Sequence, residues 1–287
     1  MTPEMEAVVT PPPEVIERGR RERDFFNRYS DPEKIPDAVL VVPPLLDAIP
    51  DELGEHFPSL EGVTVCEFGC GYGIVGAYLA QRGAHVFAFD IADSNVIVAQ
   101  RTARVNGVSD HMVIQIMQGE CLSYPDDAFD LVFGNAVLHH LHIPTAAREI
   151  RRVLKPGGVA IFREPLGENR LLECARNCPL RSSGHRHTAD EHSFLYSDVE
   201  AIRAVFPDAR FRESELLTVL RGLVRGNVGM ASIMRFESVM QKMAHVDRWI
   251  LSKCPAIRRL ASYGVLTMQK PMCTGLVPEK IRCRVDS

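Results

Sequence analysis

The stretch VCEFGCGYGIVG, residues 65–76, admits two parsings. From Gly71 it reads G-x-G-x-x-G, through Gly73 and Gly76. From Glu67 it reads E-x-G-x-G-x-G, through Gly69, Gly71 and Gly73. Either way, glycines stand between a β-rich run and a helical one, where the backbone can approach a ligand with no Cβ in the way. The first parsing is a dinucleotide fingerprint, with a pyrophosphate on the helix N-terminus. The second places a carboxylate at the strand end, which suits a cationic ligand better than a pyrophosphate. Asp90, closing the next strand, serves a ribose under both.

Outward from this loop the chain alternates. VTVCEF (63–68), HVFAFD (85–90), HMVIQIMQG (111–119), DLVFGNAV (130–137) and VAIFREP (159–165) read as strands. Helices are expected over 73–83, 93–106 and 144–158, the last stopping at Pro156-Gly157-Gly158. Such alternation implies a parallel sheet covered on both faces, with ligands outside the carboxyl ends of the strands. The alternation ceases after residue 165. A helix is expected over 168–178 and another over 197–207, with Ser197 as its N-cap. The remainder reads as a strand over 210–219, a largely helical run over 229–262 and a final strand over 264–271. Ahead of the core, residues 1–13 read as disordered, 14–29 as a helix, and 38–49 as a second helix interrupted at Pro43–Pro44.

The order EFGCGYG, FAFD, FDLVFGNAVLHHL, REIRRVLKPGGVAIFREP resembles the class I S-adenosylmethionine (SAM)-dependent methyltransferases, in their small-molecule, natural-product branch. The resemblance covers residues 60–165. It implies a Rossmann-like α/β fold: a seven-stranded, mostly parallel sheet with an antiparallel last strand and a helical lid or insert. The expected organisation is a disordered 1–13, a helical cap over 14–58, a SAM-binding core over 59–165, and a substrate-side region over 166–287. It also implies SAM as cofactor, with residue roles by position. The loop Glu67, Gly69, Cys70, Gly71, Gly73 would wrap the methionine part. Asp90 would hold the ribose hydroxyls and Ile91 would pack on the adenine. Glu120 and Cys121, in MQGEC, would line the adenine edge. Asn135 and Ala136 would lie near the amino-acid part and the sulfonium.

Composition narrows the partners. A net charge of −4 with 24% charged residues argues against a general electrostatic grip on nucleic acid or anionic membrane. No apolar run approaches the ~20 residues of a membrane span. The eight cysteines form no C-x-x-C pair, which indicates a cytoplasmic, reducing setting and no zinc site of the usual spacing.

Methyl transfer to a hydroxyl calls for a general base near the cleft. The candidates are His139 and His140 after the fourth strand and Glu164 at the end of the fifth. His187, Glu191 and His192 in RHTADEH complete the set; this stretch resembles one that small-molecule members carry after the fifth strand. Its spacing fits no standard metal site, so no metal is expected. The acceptor is expected to be a small molecule, methylated on oxygen, with carbon or nitrogen as alternatives. A nicotinamide-dependent oxidoreductase and a SAM-binding protein without methyl transfer remain as other classes. The apolar insert, with Leu220, Leu223, Met230, Met234, Met240 and Met243 among its residues, suits either an apolar substrate pocket or the face of a homodimer.

Overall fold

The computed structural model of the chain describes residues 11–33, 50–169, 172, 193–217 and 230–272, with the side chains of 230–241 left aside. The expected helix over 38–49, nearly all of 168–192 and the stretch 220–228 therefore lie outside the described residues. Helices are α1 (Pro13–Tyr29), α2 (Pro50–His56), α3 (Ile74–Ala80), α4 (Asp93–Val105), α5 (Ile143–Val153), α6 (Tyr196–Arg203) and α7 (Met230–Lys253). Strands are β1 (Thr64–Phe68), β2 (His85–Asp90), β3 (Met112–Ile116), β4 (Phe129–Asn135), β5 (Leu154–Pro165), β6 (Arg210–Ser214) and β7 (Tyr263–Gln269). They form one seven-stranded sheet in the order β3-β2-β1-β4-β5-β7-β6. The first five strands run parallel, and β7 lies antiparallel between β5 and β6.

The central strands are buried on both faces, which is why they read as continuous apolar runs. Two cores result. On one face Phe68, Phe129, Leu138, Ile150, Phe162 and Phe206 pack with α5 and α6. On the other Val65, Ala77, Leu79, Val86, Ala99, Leu131 and Ile161 pack with α3 and α4. Helix α5 turns Ile143, Ala146, Ala147, Ile150 and Val153 inward. On its flank Arg152 reaches Glu149, Asp126 and the carbonyls of Leu122 and Tyr124.

Three boundaries differ from expectation. Helix α5 ends at Val153 rather than in the Pro-Gly-Gly, and Leu154 already pairs with Phe129 in the sheet. Pro156 bars the preceding residue from helix, and Lys155 is drawn to Asp130 (2.8 Å) and the Thr64 hydroxyl (3.0 Å). Ser197 is not the cap of α6: the chain enters at Leu195, whose N–H donates to the Asp198 carboxylate at 2.9 Å. Strand β6 stops at Ser214, because Glu215 adopts a left-handed backbone (φ 62°) and turns the chain away. Helix α2 lies within the stretch 14–58 expected as a helical cap, just beyond the helix expected over 38–49.

Candidate active site

The glycine loop hangs from the end of β1. Gly69, Gly71 and Gly73 all have positive φ, and a Cβ at Gly69 would lie 2.4 Å from Val137 Cγ2. Asp90 ties this loop to the start of α4. Its carboxylate accepts from the N–H of Gly71 (2.9 Å) and Ala92 (2.9 Å) and from Asn95 Nδ2 (3.1 Å). Burial raises its pKa in spite of these donors.

A cavity of about 200 Å³ opens above the carboxyl ends of β1, β2 and β4. Gly69, Gly71, Asp90, Ile91, Glu120, Asn135, Ala136 and His140 all line it, so eight expected residues from five segments converge. Around Ile91 the wall is apolar, with Phe68, Phe89, Met117 and Leu141. Glu120 is 2% exposed. One of its oxygens accepts from the His142 N–H at 2.9 Å; the other, Oε2, is buried with no well-aligned hydrogen bond among the described residues. Burial lifts this carboxyl above its usual range. Asn135 is held from behind, its Oδ1 accepting from Arg163 at 3.0 Å. Ala136 bears a left-handed backbone (φ 54°), a conformation that costs a non-glycine residue about 1 kcal/mol.

Other expected residues stand off the cavity wall. Glu67 alternates onto the face opposite Phe68 and points beneath α3, where Oε1 accepts from the Gly76 N–H at 3.0 Å. Gly73 packs on Ala99, Cys70 belongs to the α3–α4 core, and Cys121 is exposed on the strand-like pair it forms with Gln118. The two histidines divide. His139 is buried, and its Nδ1–H donates to Glu164 Oε2 at 2.7 Å. Glu164 itself is 0% exposed and takes the N–H groups of Val137 and Leu138 on Oε1. It thus folds the segment after β4 rather than facing the cavity. His140 is the histidine at the cavity. His187, Glu191 and His192 lie outside the described residues.

The wall that no motif announced is α1. Arg18, Gly19, Glu22 and Phe26 cover the cavity. Helix α1 is seated by Asn27, which takes the N–H of the α4 residue Ser94 at 3.1 Å and donates to Asp93 at 2.8 Å. Gln118 adds a hydrogen bond to the Val15 carbonyl at 3.0 Å. In the sequence this helix reads as part of a cap over 14–58, amid many charges, and nothing marks Glu22 as 3% exposed. A glycine at position 19 was the available signal: it stands where a Cβ would strike Gln118 at 2.7 Å.

Glu67 has a measurable signature. Burial pushes its carboxyl up to about 8, against the pull of the Gly76 N–H, and the Asp90 charge adds to the rise. The folded chain therefore keeps a proton that the unfolded chain releases near pH 4.5. By linkage, this group takes away stability as pH rises from about 4.5 to about 8, at up to about 1.4 kcal/mol per pH unit. Glu67→Gln is expected to gain on wild type between pH 5 and pH 9 in urea unfolding. An unchanged difference at the two pH values counts against a protonated Glu67.

Comparison with known proteins agrees with this geometry. Residues 66–162 match the family model described as a methyltransferase domain. The chain is 32% identical over 124 residues to the methyltransferase GfsG of Streptomyces halstedii, over 41% of this chain and 44% of that protein. It is 33% identical over 120 residues to the ubiquinone biosynthesis O-methyltransferase of Maricaulis maris, over 39% of this chain and 46% of that one. These matches span less than half the length of the relatives. Among solved structures, the [4+2]-cyclase SpnF superposes with a TM-score of 0.57 at 21% identity, covering 88% of this chain and 97% of that one. The geranyl diphosphate C-methyltransferase of Streptomyces coelicolor A3(2) gives 0.52 at 15%, covering 79% of each. Sheet order and architecture are those of Rossmann-like methyltransferases. Residues 66–162 are thus similar to a methyltransferase domain.

The cavity fits SAM. It offers a glycine cradle that side chains would fill, a buried acid at the end of β2, and an apolar wall beside a buried Glu120 oxygen suited to an amine donor. Among the described residues, no helix is long and apolar enough to cross a membrane.

Proposed function

We propose that the chain transfers a methyl group from SAM to a hydroxyl oxygen of a small-molecule acceptor. The observation that carries this reading is the placement of His140 on the same cavity as the Gly69–Gly71 loop, Asp90 and Ala136. When bound, SAM supplies a methyl group on a sulfonium, whose departure as a neutral thioether drives the reaction. The chain's residues then align the acceptor and keep water out. The acceptor oxygen forms the new C–O bond as the C–S bond breaks, and its proton passes to His140 Nε2 and later to solvent. Phe26, on the α1 side of the cavity, adds an apolar surface that favours an aromatic or isoprenoid acceptor. The name of the Maricaulis maris relative, an O-methyltransferase of ubiquinone biosynthesis, points the same way.

The test is incubation with methyl-labelled SAM and a panel of phenols, alcohols and prenylated compounds, with product NMR. An O-methyl ether is expected. A new C-methyl product, or S-adenosylhomocysteine (SAH) binding without any transfer, would replace this reading.

A further inference from the structure

We propose that Glu22, on the covering helix α1, is a positioning residue that holds His140 with its Nε2 lone pair toward the cavity; this rests on the methyl-transfer reading above. His140 Nδ1 lies 3.2 Å from Glu22 Oε2, both side chains being largely buried, at 15% and 4% exposure. The approach is within ion-pair range, but the two atoms do not meet hydrogen-bond geometry in this arrangement of the side chains. A carboxylate takes the proton of whichever ring nitrogen faces it, so the remaining nitrogen is left as the acceptor. That nitrogen, Nε2, is the one a general base must present.

The neighbouring groups support this division of labour. The other acid that follows the parallel strands, Glu164, is already committed to His139 and to two backbone N–H groups, and cannot serve His140. The His139 ring lies 4.1 Å from that of His140 and the edge of Phe26 packs at 5.4 Å, so the His140 ring has little freedom to turn. Arg18, one turn before Glu22, donates to the His139 carbonyl at 3.4 Å. Across the cavity Asp90 is close enough for its carboxyl to feel a charge on His140. Among the described residues, the titratable and charged groups about the ring are therefore Glu22 and Arg18 from α1, His139 beside it and Asp90 from β2. Of these only Glu22 is in ion-pair reach of Nδ1.

The experiment reads the His140 tautomer directly. Histidine-¹⁵N-labelled full chain, saturated with SAH, is observed at alkaline pH, with His140→Gln identifying the resonances. Wild type is expected to show Nδ1 protonated and Nε2 bare. In Glu22→Leu, which removes the acceptor, the ratio of that tautomer to the other is expected to fall by about tenfold. That is what losing a carboxylate within ion-pair reach of Nδ1 implies, a tenfold change in ratio being about 1.4 kcal/mol. In Glu22→Gln, which keeps an acceptor without its charge, the ratio falls partway. A wild-type ratio in Glu22→Leu overturns the proposal, and so does a wild type in which His140 carries its proton on Nε2. Methyl transfer from labelled SAM to the acceptor panel tests the methyl-transfer reading separately. Loss of that reading shows as no methylated product from wild type, whatever the tautomer.

Discussion

Glu164→Ala is expected to destabilise the fold by about 3–5 kcal/mol, the cost of leaving buried polar partners without their charge. The carboxylate is wholly buried, and three donors converge on it: the N–H groups of Val137 and Leu138, and His139 Nδ1. Alanine leaves all three buried donors without their acceptor. For a chain of this size the melting temperature is expected to fall by roughly 10 °C. Glu164→Gln keeps one acceptor oxygen for the backbone pair and is expected to lose about half as much. Thermal and urea unfolding of the two variants check this. A loss under about 1 kcal/mol in the alanine variant would show that the segment after β4 folds without Glu164.

The second large effect is on binding. Asp90→Ala is expected to weaken SAH binding at least about 100-fold, or about 2.7 kcal/mol. The carboxylate lines the cavity and also holds Gly71, Ala92 and Asn95 in place, so its removal takes away a ligand contact and slackens the cradle together. Asp90→Asn, which keeps part of the hydrogen bonding, separates the two contributions. Calorimetry with SAH, and with NAD and NADP as controls, decides the matter. Binding of a nicotinamide nucleotide in preference to SAH would mean that the glycines serve a pyrophosphate after all.

The architecture was legible where burial is uniform. Strands β1, β2 and β4 are largely buried, so they appear as mainly apolar runs that lead into Gly69 or end at Asp90 and Asn135. The site was legible where it follows from strand ends: Gly69, Gly71, Asp90, Ile91, Asn135 and Ala136 meet because parallel strands deliver their carboxyl ends to one edge. Glu67 shows how a motif letter can mislead about direction. Side chains along a strand alternate, and since Phe68 faces the cavity, Glu67 must face the other side. The division between His139 and His140 was not legible, because a single tight turn (Leu138–His140) sets which ring turns inward. Nor was Glu22: its burial is decided by contacts with residues 66 to 121 positions further along the chain, which no local pattern records.

Strand β7 also carries a consequence for synthesis. It lies between β5 and β6 yet comes after both, separated from β6 by 215–262. While a ribosome is still making that stretch, β5 has β4 on one side and an unpaired, apolar edge on the other, and β6 has no neighbour at all. Seven register pairs with β5 and five with β6 form only when Tyr263–Gln269 emerges. The nascent chain therefore spends the translation of roughly fifty residues with an open sheet edge of the kind that recruits other strands. A pause or truncation just before Tyr263 would release a sticky intermediate rather than a smaller, tidy domain.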